Sequence, residues 1–350
     1  MKKQTWVALA VLALVSLAAI FAYQKWSPRN SSLRGELLAM MPADASAVFF
    51  VDLGELRSAP FLAKLYAWAP KPQADPEYAQ FIKDTGFDYE RDLYRAAVAL
   101  EKHGEPSTFF VIADGKFDQQ KISAVSLKTG AVTKNGTRDI FSIPISGSAK
   151  TLSFAFLRKD RMVLTDNPDL ANILQSRKRV QDTADWNSRF ERLAGSPVFA
   201  VIRHDAGAGS ALAAQTPGGL RSPQLSAVLD QLQWITIAGR PENDRLRIIA
   251  EGESSTEATM RQLADLLNGV LILAGAGLND AKTRQQLDPA ARAAYLEVLR
   301  SADVAKIDRG DTKSVRLTFE ITPAFLESAG RATLSKPLPG SAATARKGHS

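Results

Sequence analysis

The segment Ser46-Ala47-Val48-Phe49-Phe50-Val51 returns 150 positions later as Ser196-Pro197-Val198-Phe199-Ala200-Val201. Each copy is a short, nearly continuous apolar run, the pattern of a strand buried on both faces. The neighbouring residues echo as well. Leu56-Arg57-Ser58-Ala59-Pro60 corresponds to Leu220-Arg221-Ser222-Pro223, and Ile112-Ala113-Asp114-Gly115 to Ile249-Ala250-Glu251-Gly252. A chain that repeats its strand and helix starts in one order is expected to build one unit twice. Within each copy the order reads strand, helix, strand, strand, helix, then more strand, which is that of a split β-α-β, ferredoxin-like unit. The expected fold class is therefore α+β, with two tandem units on antiparallel sheets spanning 35–180 and 186–330. The polar run Arg177 to Asp185 is the expected boundary.

Finer expectations follow from local chemistry. Pro60 falls in the first turn of a helix from Leu56 to Trp68, where a missing N–H costs nothing. Asn135-Gly136 between Val132–Lys134 and Thr137–Ile145 marks a hairpin, and a second hairpin turns at Lys159-Asp160. Asp166-Asn167-Pro168 reads as the cap of a helix to Ser176, Ser254 with Glu257 as a capping box, and Asp288-Pro289 as the start of an Ala-rich helix. Val304–Ile307 and Val315–Ile321 form a closing hairpin. The shared Asp114-Gly115 and Glu251-Gly252 are read as one turn geometry used twice.

Trp6 to Tyr23 holds eighteen residues of which only Ser16 is neither apolar nor aromatic. As a helix it would rise about 27 Å at ~1.5 Å per residue, close to the hydrocarbon thickness of a bilayer. Trp6 at one end, with Tyr23 and Trp26 at the other, suits the two interfaces. Segment 1–26 is therefore expected to be an uncleaved signal anchor, a single transmembrane helix with the lipid bilayer as its partner. Segment 27–34 reads as a polar linker. The alternative is cleavage after Ala18, giving a soluble secreted protein. The short basic N-terminal tail puts that tail in the cytoplasm and the body outside. For a bacterial chain this means an inner-membrane protein with a single span and a periplasmic body. A second apolar run, Leu266 to Gly277, is too short to span and is expected to be a buried helix.

Charge excludes one class of partner. The net charge is +7, yet residues 1–34 and 331–350 carry nine basic residues and no acids, so the body between them stands at −2. Nucleic-acid binding by that body is not expected. Residues 331–350 lack periodicity and read as a disordered basic tail. With no cysteine and three histidines, thiolate and paired-histidine metal sites cannot be assembled, and no cofactor is expected.

Candidate catalytic residues are few. Asp52 ends the first strand, and His204-Asp205 lies just past its second copy. A twofold relation between the units would let the three converge as an acid–base or metal constellation. The glycine loop Gly207-Ala208-Gly209-Ser210-Ala211-Leu212 lacks the third glycine and the following helix of a phosphate loop. It reads as an inserted loop over 206–219.

Met41-Pro42-Ala43-Asp44, followed by an apolar strand and Leu56-Arg57-Ser58-Ala59-Pro60, resembles bacterial envelope proteins of uncharacterised function whose folded part opens on a Leu-Pro-x-Asp stretch. The resemblance implies an envelope location and brings no catalytic residues. The combined expectation is a membrane-anchored, envelope-facing binding or scaffold protein with an envelope protein as partner. The alternative is an exported hydrolase or metal-dependent enzyme built on Asp52, His204 and Asp205.

Overall fold

In the computed structural model, which describes residues 31–68, 76–101, 108–145, 150–176, 178–203, 227–310 and 312–334, strands Ala45–Asp52 (β1) and Val198–Arg203 (β8) lie side by side at the centre of one sheet. Their pairing is antiparallel: Ala47 faces Ile202, Val48 faces Val201, Phe49 faces Ala200, Phe50 faces Phe199, and Val51 faces Val198. In the numbering of the repeat, each opposed pair is matched by its own reversal. The seam is thus self-complementary, as at a twofold axis.

From this seam the sheet grows in both directions. On one side lie Leu93–Glu101 (β2), Thr108–Gly115 (β3), Arg161–Thr165 (β7), Thr151–Arg158 (β6), Arg138–Pro144 (β5) and Ala131–Asn135 (β4). On the other lie Trp234–Glu242 (β9), Arg245–Ser254 (β10), Lys313–Ile321 (β12) and Asp303–Asp308 (β11). The result is a sheet of twelve strands in the order β11-β12-β10-β9-β8-β1-β2-β3-β7-β6-β5-β4. In each half three successive strands are neighbours. Helical chain follows the third, and the last strand of the half returns to pair with the third.

This connectivity departs from the split β-α-β expectation. There, the strand after the first helix would run parallel to the first strand, with a third strand between them. Here β2 pairs directly and antiparallel with β1, Phe50 facing Ala97. The helical chain between them begins and ends at one end of the sheet, where Asp52 faces Arg95. The α+β class and the antiparallel sheet are as expected.

Side chains alternate across the sheet, so the apolar central strands feed two cores. On one face Val48, Phe50, Ala97, Phe110, Ile112, Phe199, Val201 and Trp234 pack under helices Ser31–Ala39 (α1) and Ala184–Arg192 (α8), with Leu37, Trp186 and Phe190 as their contributions. Phe50 and Phe199 stack at 5.2 Å between centroids. The Arg34 guanidinium lies 4.5 Å from the Phe199 ring centroid and donates to the carbonyls of Leu193 and Ser196. One residue of α1 therefore clamps both halves. The opposite face carries separate clusters. Leu53–Ser58 (α2) and Pro60–Trp68 (α3) cover Val51 and Ala96, while Gln119–Ser126 (α6) covers Phe141 and Phe154.

The Asn135-Gly136 hairpin forms with Gly136 at φ +62°, the left-handed conformation glycine permits. The second and closing hairpins form too, and Asp288 caps the helix Pro289–Ser301 (α11), accepting from Ala291 N. Other local readings shift. The helix expected from Leu56 is two: Asp52 caps the first, and Ala59, extended at ψ 127°, breaks the chain ahead of Pro60. Pro76–Thr85 (α4) and Tyr89–Asp92 (α5) follow. Asp169, not Asp166, caps Leu170–Gln175 (α7), because Asp166 is taken by the buried amide of Phe109 and by Lys150. Thr256, not Ser254, caps the helix Glu257–Asn279 (α9). Ser31–Arg34, assigned to a linker, are helical, and the last helix Pro323–Leu334 (α12) runs into the segment assigned to the tail. Residues 1–30, with the expected anchor, and 335–350 lie outside the described residues.

The run Leu266 to Gly277 lies within α9 but is not a buried helix. Only 11% of the helix's most apolar eighteen residues is buried.

Phe50 is 1% exposed and packs across the seam. Phe50→Ala should cost about 3–5 kcal/mol in urea unfolding. Val132→Ala, on the edge strand β4, should change stability by less than about 0.5 kcal/mol.

Candidate functional site

Of the three residues expected to converge, Asp52 alone is among the described residues. Asp52 sits where its amide donates to Pro197 O at 2.6 Å, at the start of β8. Ile202, at the other end of β8, faces Ala47. Five residues of strand, about 17 Å at ~3.4 Å each, separate Ala47 from Asp52. His204 and Asp205 lie outside the described residues, as does the 206–219 loop. Asp52 is itself committed. One carboxylate oxygen accepts from Glu55 N at 2.9 Å, and the other from Arg95 Nε at 2.5 Å. It is 8% exposed, and its work is to cap α2 and pair across to β2. Burial, and the charge of Asp52 beside it, push the Glu55 carboxyl above its ordinary range.

Asp114 and Glu251 answer to ion pairing rather than to a turn. Asp114 directly faces Arg161 on the returning strand β7 and takes a bidentate contact at 2.6 and 2.9 Å. Glu251 directly faces Arg316 on the returning strand β12 and accepts from its Nε and Nη2 at 3.1 and 3.0 Å. Arg309 lies 2.6 Å from the other oxygen. The following glycines are close-approach positions. A Cβ on Gly115 would meet Asp92 O at 2.7 Å, and one on Gly252 would meet Leu232 Cδ1 at 2.9 Å. Beyond Glu251, the fully buried Glu253 pairs with Arg189 and Arg192, and the Arg189 guanidinium lies 3.9 Å from the Trp234 ring centroid. These are cross-strand and strand-to-helix ties.

A polar cleft of about 620 Å³ opens beside α7, lined by Asp44, Glu101, Asn167, Asp169, Asn172 and Arg179 among others. Its groups hold local backbone. Asp169 caps α7, Asn167 Oδ1 accepts from Asp169 N at 3.0 Å, and Arg179 donates to the carbonyls of Ile173 and Leu174. Glu101 accepts from Thr108 Oγ1. Among the described residues no group of three or more His, Asp or Glu side chains is placed to hold a metal.

The feature that packing leaves unexplained is the second half of α9. In its first half Met260, Leu263 and Ala264 enter a core with Val228, Leu232, Ile235 and Val315, while Arg261, Gln262 and Asp265 face solvent. That is an ordinary amphipathic helix. Beyond Asn268 the outward positions turn apolar: Ile272 is 71% exposed and Leu273 73%, with Ala276 and Gly277 exposed beside them. Burying a leucine or isoleucine fully is worth about 1.5–3 kcal/mol, and the fold forgoes most of it at both positions. The helix has the length and composition of a membrane span. Its first half, tied into the core and carrying Glu257, Arg261 and Asp265, is not available to cross one. Apolar content alone assigns this run to the core. The signal that locates it outside is the loss of polar residues from the solvent side after Asn268.

No protein-family model and no curated protein matches the chain. Crystal forms of TP0453 are similar in structure. Form IV has a TM-score of 0.44 at 10% identity, covering 84% of this chain and 95% of that one. Form III has 0.43 at 9% identity, covering 85% and 98%.

Burial opposes ionisation of Glu251, but Arg309 and Arg316 outweigh it and hold its carboxyl below the ordinary range. A carboxyl depressed in the fold contributes stability that is full above its unfolded value, about 4.3, and lost as pH falls through the folded value. Glu251→Gln should therefore be less stable than the parent at pH 7 by about 1–3 kcal/mol, the arginines being partly hydrated. In urea midpoints taken across pH, that gap should close progressively below pH ~4.

Proposed function

We propose that this chain is a membrane-anchored, envelope-facing binding protein, held by Trp6–Tyr23 and presenting the unburied end of α9 as its binding surface. The observation that carries this reading is the 71% and 73% exposure of adjacent Ile272 and Leu273, on a helix whose preceding turns are correctly amphipathic. Lone exposed apolar residues are ordinary on a soluble surface, whereas a contiguous apolar patch marks an interaction site. The self-complementary seam, with Asp114–Arg161 and Glu251–Arg316 in corresponding places, supports an origin by internal duplication. The body is then a rigid double scaffold carrying a surface that only its second half possesses.

The chain has no cysteine, so a single introduced thiol reports one place. In membranes holding the full chain, the thiol of the Ile272→Cys variant should react with a membrane-impermeant maleimide about tenfold more slowly than that of Val132→Cys. In denaturant the two rates should converge. Equal rates in the membrane would overturn the reading.

A further inference from the structure

Resting on that reading, we infer that the occupant of the α9 surface is the interfacial region of an anionic bilayer, in which residues 269–278 lie flat while Lys282 and Arg284 meet lipid phosphates. Gly269 to Leu278 is an uncharged, wholly apolar stretch. At ~1.5 Å per residue it measures about 15 Å, half a hydrocarbon core. This length fits a segment lying in the plane of the headgroup and acyl boundary, not one that spans.

Three features favour lipid over a protein partner. First, the exposed side chains are Ile272 and Leu273 set among Gly269, Ala274, Gly275, Ala276 and Gly277. Protein hot spots draw on tryptophan, tyrosine and arginine seated in pockets, whereas lipid asks only for apolar area. Second, cations begin within four residues of the apolar end: Lys282 and Arg284 are exposed on the next short helix, Ala281–Gln286 (α10), behind the cap Asp280. The carboxylates beside them are engaged as helix caps, Asp280 accepting from Lys282 N and Asp288 from Ala291 N, both at 2.9 Å. Arg292, which donates to Asn279 Oδ1 at 3.3 Å, adds a third cation against the end of the helix. Third, only residues 27–30 separate Trp26 from the start of α1. Four extended residues reach about 14 Å, so an anchored body stays near the bilayer surface.

The test uses the full chain reconstituted in vesicles of phosphatidylcholine alone or with about 30% phosphatidylglycerol, with a fluorophore on the thiol introduced by Ile272→Cys. Nitroxide-labelled lipids should quench the fluorophore in the anionic vesicles. The docked-to-undocked ratio should fall about fivefold for each of Lys282→Gln and Arg284→Gln, and about thirtyfold for both. High salt should do the same, since headgroup attraction is screened. Quenching equal in both vesicle types and indifferent to the two substitutions would overturn the phosphate contact. Absent quenching, with the introduced thiol still protected in native membranes and cross-linking to a protein or a second copy, would overturn lipid as occupant while leaving the binding surface standing. Absent quenching with a freely reactive thiol at that position would remove both.

Discussion

The pairing of β1 with β8 is the constraint on which the rest of this structure depends. Each strand carries apolar residues toward both faces, so a shift of one residue would send Phe50 and Phe199 to the wrong core. The register that keeps them stacked also makes the seam its own reverse, Val48 opposite Val201 and Val51 opposite Val198. From that one register follow the continuity of the sheet, the shared core beneath α1 and α8, and the placement of Arg34 over both rings. Separating the halves would expose the edges of two central strands and leave Phe50 and Phe199 half uncovered. The two halves therefore depend on one another although each contributes its own meander.

The ion pairs extend this logic outward. An acid near the end of the third strand and an arginine directly opposite on the returning strand fix the register of the last strand in each half. The cost of desolvating these charges is met by geometry, bidentate at Asp114 and shared between two arginines at Glu251. An apolar pair would tolerate a slip that these pairs do not. This is a role in specifying one arrangement, and it accounts for both acids without chemistry on a substrate.

Much of the local structure is legible in the sequence because its causes are local. Asn135-Gly136 needs only a left-handed glycine, Asp288-Pro289 only an orphan amide three residues on, and the opening strand only its own apolar run. What the sequence does not carry is who neighbours whom. Period-two patterning says that 93–101 is a strand but not that it lies beside β1, so a split β-α-β order fits the pattern as well as the meander that forms. Asp166 looks like a cap because the amide it serves, Phe109, lies 57 residues away, and Asp169 is left to do the local work. Asp114 and Glu251 stand out as a pair, yet their partners come from strands whose return the sequence does not announce. Asp52 stands out as a polar strand end, yet the groups that engage it, Glu55 N and Arg95, belong to the helix it caps and the strand beside it.

Helix α9 carries the most information about function because it obeys and then abandons one rule. Its inward stripe, Met260, Leu263, Ala264 and Leu267, is what the sheet requires. The outward positions Arg261, Gln262, Asp265 and Asn268 are what water requires. Had the following turns served the fold alone, the same division would continue, with Leu271, Ala274 and Leu278 inward and polar residues opposite. Ile272, Leu273 and Ala276 stand on the opposite side instead, so the apolar residues there answer to something other than the core. A packing defect would show as a stray residue, whereas here the change begins at one turn, persists to Gly277 and gives way through Asn279 and Asp280 to Lys282 and Arg284. The surface is thus specified by the same periodicity that specifies the core, read from the other side of the helix.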